Sequence, residues 1–80
     1  MNPTPQIALQ QFETTDLTLA SFLRCRDLPI ESIRRQNGRT VFVFEESDAL
    51  RESVLEYAND APVAVRTFCS TLRDLKAITR

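Results

Sequence analysis

The dipeptide Asn37-Gly38, inside "RRQNGRTVFVFEE" (residues 34–46), constrains this chain more than any other stretch. Both residues tolerate the positive φ that a type I′ turn demands, and Asn-Gly between two strand-forming runs is the strongest short-range hairpin signal. A two-residue loop sets the register. Gln36 pairs with Arg39, Arg35 with Thr40, Arg34 with Val41, Ile33 with Phe42 and Ser32 with Val43. Because strand side chains alternate, Ile33, Arg35, Phe42 and Phe44 share one face. The other carries Ser32, Arg34, Arg39, Val41 and Val43. The first face is expected to be the core side, with Arg35 at its rim. The second is polar at the turn and apolar further in.

Helical periodicity surrounds this hairpin. In "DLTLASFLRCRD", Leu19, Ala20, Phe22 and Leu23 gather on one side at 3.6-residue spacing, with Cys25 off the stripe beside Ser21. Thr15 or Asp16 can cap that helix, and Pro29 is expected to stop it. A second helix opens at Ser47 or Asp48 and buries Leu50, Val54, Tyr57 and Ala58, with Leu55 flanking. Asn59-Asp60-Ala61-Pro62 ends it. The third begins near residues 63–66, its stripe formed by Val65, Phe68, Cys69, Leu72 and Leu75; an edge strand over 63–65 is the alternative. Upstream, residues 6–14 ("QIALQQFET") read as a strand, and "MNPTPQ", with two prolines and nothing to bury, as a flexible tail over residues 1–6.

Eighty residues hold one domain, spanning residues 7–80. A chain of this size buries about 60% of its unfolded surface, so one modest core must hold it. The material for that core is present, with 42% hydrophobic residues including five Phe. Strand, helix, hairpin, helix, helix is most economically packed as an α+β fold. A small antiparallel sheet, made of the N-terminal strand and the Asn-Gly hairpin, is covered on one face by three helices. No apolar run reaches the roughly 18 residues of a membrane span, and "MNPTPQIALQ" lacks the basic and apolar regions of a signal peptide. The expected location is the cytoplasm.

The composition also argues against most chemistry. Histidine, the commonest general base and metal ligand, is absent. Cys25 and Cys69 lie far apart without metal-ligand spacing, so neither a disulfide nor a zinc site is expected. Cys25, between Arg24 and Arg26, is the better candidate for a reactive thiol, and Cys69 reads as a small buried hydrophobe. Glu45, Glu46 and Asp48 cluster where a helix N-terminus welcomes negative charge. Gly38 is the only glycine, which rules out a glycine-rich phosphate loop. The expectation is a non-enzymatic domain with no cofactor, metal or small-molecule substrate.

What remains is binding. The net charge of −1 argues against coating nucleic acid with bulk positive charge. Yet nine of the ten basic residues are Arg, three of them (Arg34, Arg35 and Arg39) around one turn, and no acid falls between Glu31 and Glu45. Three phosphate contacts would give a salt slope of roughly −2.7, weak for a single copy. Alternatively the arginines keep an edge hairpin soluble. Val41 and Val43, if exposed, would support self-association or addition of a partner's strand. Arg34, Arg35, Arg39, Val41 and Val43 are therefore the candidate binding surface. The expected role is a protein-binding or adaptor module, with a small nucleic-acid-associated regulator as the alternative.

The runs "FETTDLTLASFL", "NGRTVFVFEE" and "FCSTLRDLKAI" together resemble a small bacterial family described as a domain of unknown function. Its members share a Phe-x-Thr-x-Asp-Leu opening into a Leu-Ala helix, a Gly-Arg turn into a Phe-rich strand, and a final helix carrying Leu-Lys. The likeness spans roughly residues 12–78. It implies an intact fold and brings no activity with it. Where family members often end the first helix with glycine, this chain has Asp27 and Pro29.

Overall fold

A computed structural model describes residues 10–79. The elements run β1 (Gln11–Thr14), α1 (Leu17–Cys25), β2 (Ile30–Gln36), β3 (Arg39–Glu45), α2 (Asp48–Ala58) and α3 (Val65–Ile78). The expected tail and the first residues of the expected N-terminal strand lie outside the described residues. The fold is α+β, with three helices and a three-stranded antiparallel sheet in the order β1-β3-β2. The strand that follows the turn is thus central, while β1 and β2, joined through α1, form its two edges.

The hairpin register is the expected one at every pair from Gln36–Arg39 back to Ser32–Val43. Asn37 and Gly38 have φ of 54° and 78°, both in the left-handed region that the primed turn requires. Beyond Ser32 a bulge intervenes, because Ile30 pairs with Phe44 and leaves Glu31 as an extra residue. On the other side of β3, Phe12 pairs with Phe44 and Glu13 with Val43.

Phe42 and Phe44 enter the core at 1% exposure each, against Leu19, Ala20, Phe22 and Leu23 of α1, Leu50 of α2 and Leu75 of α3. Burying one such phenylalanine contributes about 3 kcal/mol of hydrophobic stabilisation. Asp16 caps α1 by accepting from the amides of Thr18 and Leu19, and Ser47 caps α2 by accepting from that of Leu50. The Thr18 hydroxyl donates to Asp16 Oδ1 at 2.8 Å, so its 2.6 Å contact with the Tyr57 hydroxyl has tyrosine as donor. That bond ties α2 to the start of α1. Tyr57 also packs on Phe22, ring centroids 5.5 Å apart, and Arg26 lies over the Phe22 ring, 4.8 Å from its centroid.

Pro29 is not what ends α1. The helix stops at Cys25, and Asp27 takes a left-handed φ of 64°, letting the amide of Leu28 reach the carbonyl of Leu23 and that of Asp27 the carbonyl of Arg24. This is a Schellman closure with aspartate in the glycine position. The end of α2 repeats it: Asp60 has φ of 62°, Ala61 bonds to Glu56 and Asp60 to Tyr57. Residues 61–64 carry no strand, and α3 starts at Val65 without a side-chain cap.

Burial departs from the expected stripes in three places. Ala58 is exposed, Val65 is 71% exposed and Cys69 is exposed. α3 packs chiefly on α1, so only the Phe68, Leu72 and Leu75 side of its apolar stripe is covered. Val41 and Val43 lie on the helix-free side of the sheet as expected, but at 7% and 0% exposure they are buried. Two side-chain bridges pass over β3 there, linking its neighbours. Arg34 Nη2 meets Glu13 Oε1 at 2.9 Å, and Gln11 Nε2 donates to Glu31 Oε1 at 3.0 Å.

Two outcomes test this description. Asp27→Gly and Asp60→Gly should each stabilise the fold by about 0.5–1 kcal/mol, since both residues hold a left-handed φ, neither carboxylate makes an ion pair among the described residues and both oppose the helix dipole. In a domain this small that is a rise of several degrees in Tm, read by circular dichroism. Val43→Asp should abolish the cooperative melt altogether. An unpaired carboxylate at a fully buried site costs several kcal/mol, comparable with the whole stability of such a domain.

Candidate contact surface at the hairpin and its free edge

The three arginines near the turn do not form one patch. Alternation puts Arg34 and Arg39 on the helix-free face and Arg35 on the helix side. Arg34 is spent on Glu13 across the sheet. The pair is about 40% exposed on both sides, so it contributes at most about 1 kcal/mol; it spans β3 between the register partners of Val41 and Val43. Arg35 Nη1 donates to the Thr40 hydroxyl at 3.2 Å and to the Thr79 carbonyl at 3.0 Å. It thereby closes the C-terminal end of α3 onto the hairpin. Arg39 makes no ion pair among the described residues.

These bonds reorder the expected surface. Val41 and Val43 are unavailable to a partner, because their side chains are already covered. Arg35 turns from a rim residue into a fixed one, oriented by its cross-strand neighbour Thr40 and by Thr79 at the end of α3. The hairpin reaches beyond β1, which pairs only with Phe42–Glu45. Beneath the overhang lies an open cleft of about 360 Å³, bounded by Thr15 and Leu17 at the start of α1, Arg35 and Thr40 on the hairpin, and Thr79.

The more consequential feature is the outer edge of β2. All but Ile30 among its seven residues are exposed, and among the described residues no strand pairs with its far side. In a two-residue hairpin the pair next to the loop, Gln36–Arg39, exchanges hydrogen bonds, and so does every second pair behind it. The amide and carbonyl groups of Arg34 and Gln36 are therefore turned to β3. Those of Ile33 and Arg35 point outward, and they make no backbone bond to another element among the described residues. Ile33 is 38% exposed although it sits on the helix side.

Other candidates from the sequence resolve differently. Cys25 is half-buried, with its Sγ 3.9 Å from the Thr71 hydroxyl on α3; Cys69, expected to be buried, is the exposed thiol. Glu46 and Asp48 both bind Arg51, whose guanidinium they hold above its ordinary pKa, chiefly through the hydrogen bond to Glu46. The acidic cluster thus serves the start of α2. Among the described residues no group of three or more His, Cys, Asp or Glu side chains is placed to hold a metal ion, and no helix is long and apolar enough to cross a membrane.

Glu13, Thr40 and Thr79 are the partners that sequence reasoning missed. Thr40 was within reach, since it pairs with Arg35 in the hairpin register. Glu13 required the strand order and Thr79 the docking of α3, neither of which has a local signature. No curated protein and no solved structure matches the chain. The family described as Domain of unknown function (DUF5659) matches residues 9–80, and the chain belongs to that family.

Proposed function

We propose that this protein is a small non-enzymatic, cytoplasmic binding module that works through protein–protein contacts, and that the contact element is the free edge of β2. One observation carries this reading: a seven-residue edge strand, exposed over nearly its whole length, presents backbone groups at Ile33 and Arg35 that are unpaired among the described residues. Such an edge is a template for an added strand, with affinity from main-chain hydrogen bonds and specificity from alternate side chains. Its length is enough for two outward backbone sites, and the bulge at Glu31 ends the regular edge on the side away from the turn.

The nucleic-acid reading draws less support. Arg34 already faces a carboxylate at 2.9 Å, and Arg35 points to the opposite side of the sheet. A phosphate backbone would have to compete with Glu13 for one guanidinium and would meet the others on separate surfaces. Self-association through Val41 and Val43 draws none, as both are buried.

The test is selection of binders from a displayed library of random linear peptides, followed by amide hydrogen exchange with a selected peptide bound. Protection is expected to rise at Ile33 and Arg35 while Arg34 and Gln36, already bonded to β3, change little. Binders that protect other segments, or failure to select any, would refute strand addition. On heparin at low salt, the Arg34→Ala, Arg39→Ala double variant and its parent should elute together, near the void; strong retention of the parent alone would restore the nucleic-acid reading.

A further inference from the structure

The β2 edge carries two side chains that an added strand would meet, and they differ in chemistry. Outward backbone groups belong to Ile33 and Arg35, and both side chains lie on the helix side of the sheet. A residue directly opposite either one would set its own side chain on that same side, within about 5 Å between Cβ atoms. Opposite Ile33 it would meet an apolar surface left 38% exposed. Opposite Arg35 it would meet a guanidinium with no ion-pair partner among the described residues.

Arg35 is also oriented. Among the described residues Nη1 makes both of its bonds, to Thr40 and Thr79, which leaves the Nε–Nη2 edge as a two-pronged donor matched to a carboxylate. Holding the group in place beforehand lowers the entropy lost on pairing, which distinguishes it from a free surface arginine. The residue between these two positions would face Arg34, which Glu13 already neutralises.

We infer that the β2 edge selects an extended segment of a partner protein with the pattern acid-x-aliphatic, running antiparallel to β2, the acid opposite Arg35 and the aliphatic residue opposite Ile33. This rests on the strand-addition reading and names the partner's chemistry. Antiparallel pairing places the position opposite Arg35 two residues before the one opposite Ile33, which sets the order. A second copy of this chain does not fit. Pairing Ile33 with Arg35 across a two-fold axis sets Arg34 against Arg34, a like-charge contact. Pairing Ile33 with Ile33 brings Glu31 opposite Arg35, but Glu31 sits at the bulge and is bonded to Gln11 on the helix-free side. Charge therefore favours a different, acidic strand.

The experiment uses peptides selected from the random library and the full chain. Selected sequences should be enriched in Asp or Glu two residues before Val, Ile or Leu. For one such peptide, Arg35→Ala should weaken binding roughly tenfold, the scale of one charge-assisted pair. Arg35→Glu should weaken it further and be rescued by a peptide with Lys in place of the acid, while each variant keeps a cooperative thermal melt. Peptides that protect the Ile33 and Arg35 amides but show no acid preference and no response to Arg35→Glu would overturn this inference and leave strand addition standing. Peptides that protect neither amide would overturn both. Ile33→Ser provides an independent reading: it should weaken aliphatic-bearing peptides several-fold and leave peptides with Ser at that position unchanged, and equal losses for both would count against the assigned register.

Discussion

The register of β2 on β3, set by the left-handed Asn37-Gly38 turn, is the constraint on which the remaining structure depends. Side chains alternate with a period of two, so a slip of one residue would exchange every inward and outward group on one strand. Phe42 and Phe44 would leave the core and Val41 and Val43 would enter it. Were β2 the strand to flip instead, Arg34 and Arg35 would trade faces, breaking the bridge to Glu13 and the bond to Thr79 together. Both layers of the domain therefore rest on two residues that accept positive φ.

Given that register, each side of the sheet solves a different problem. The helix side collects three helices around two phenylalanines and forms the main core. The other side has no helix among the described residues, yet it carries two buried valines on the central strand. Long polar side chains from the edge strands bridge over them, a use of stems for packing and heads for mutual neutralisation. What the sequence suggested was an apolar contact surface is instead a second, small packed layer. The exposed functional potential shifts to the strand rim, where backbone groups and two unlike side chains are left over.

The arginines show the same economy. One covers valines, one locks the end of α3 to the hairpin, and a third, Arg26, stacks on Phe22 and bonds to Pro62 ahead of α3. In a chain with a single lysine among its bases, the planar guanidinium serves as a packing and hydrogen-bonding group as much as a charge. Cys69 departs from its expected burial for a related reason. α3 contacts α1 mainly, so the helix turns Phe68 and Leu75 inward and leaves Val65 and Cys69 outside, while Cys25 of α1 is the thiol that meets α3. An apolar stripe read from spacing is wider than the face one neighbouring helix can cover.

Elements governed by nearby residues were legible in the chain itself. The Asn-Gly turn and its five pairs, the caps at Asp16 and Ser47, the inward faces of α1 and β3 and the α+β class all follow from backbone preference and periodicity within about a dozen residues. The Schellman ends at Asp27 and Asp60 were less so, because aspartate lacks glycine's plain signal for a left-handed residue. Strand order, the burial of Val41 and Val43, the distribution of Arg34 and Arg35 between Glu13 and Thr79, and the free rim of β2 were decided only by tertiary packing. These depend on which distant segments become neighbours, and β1 can bridge to β2 over the valines only once β3 has taken the centre of the sheet.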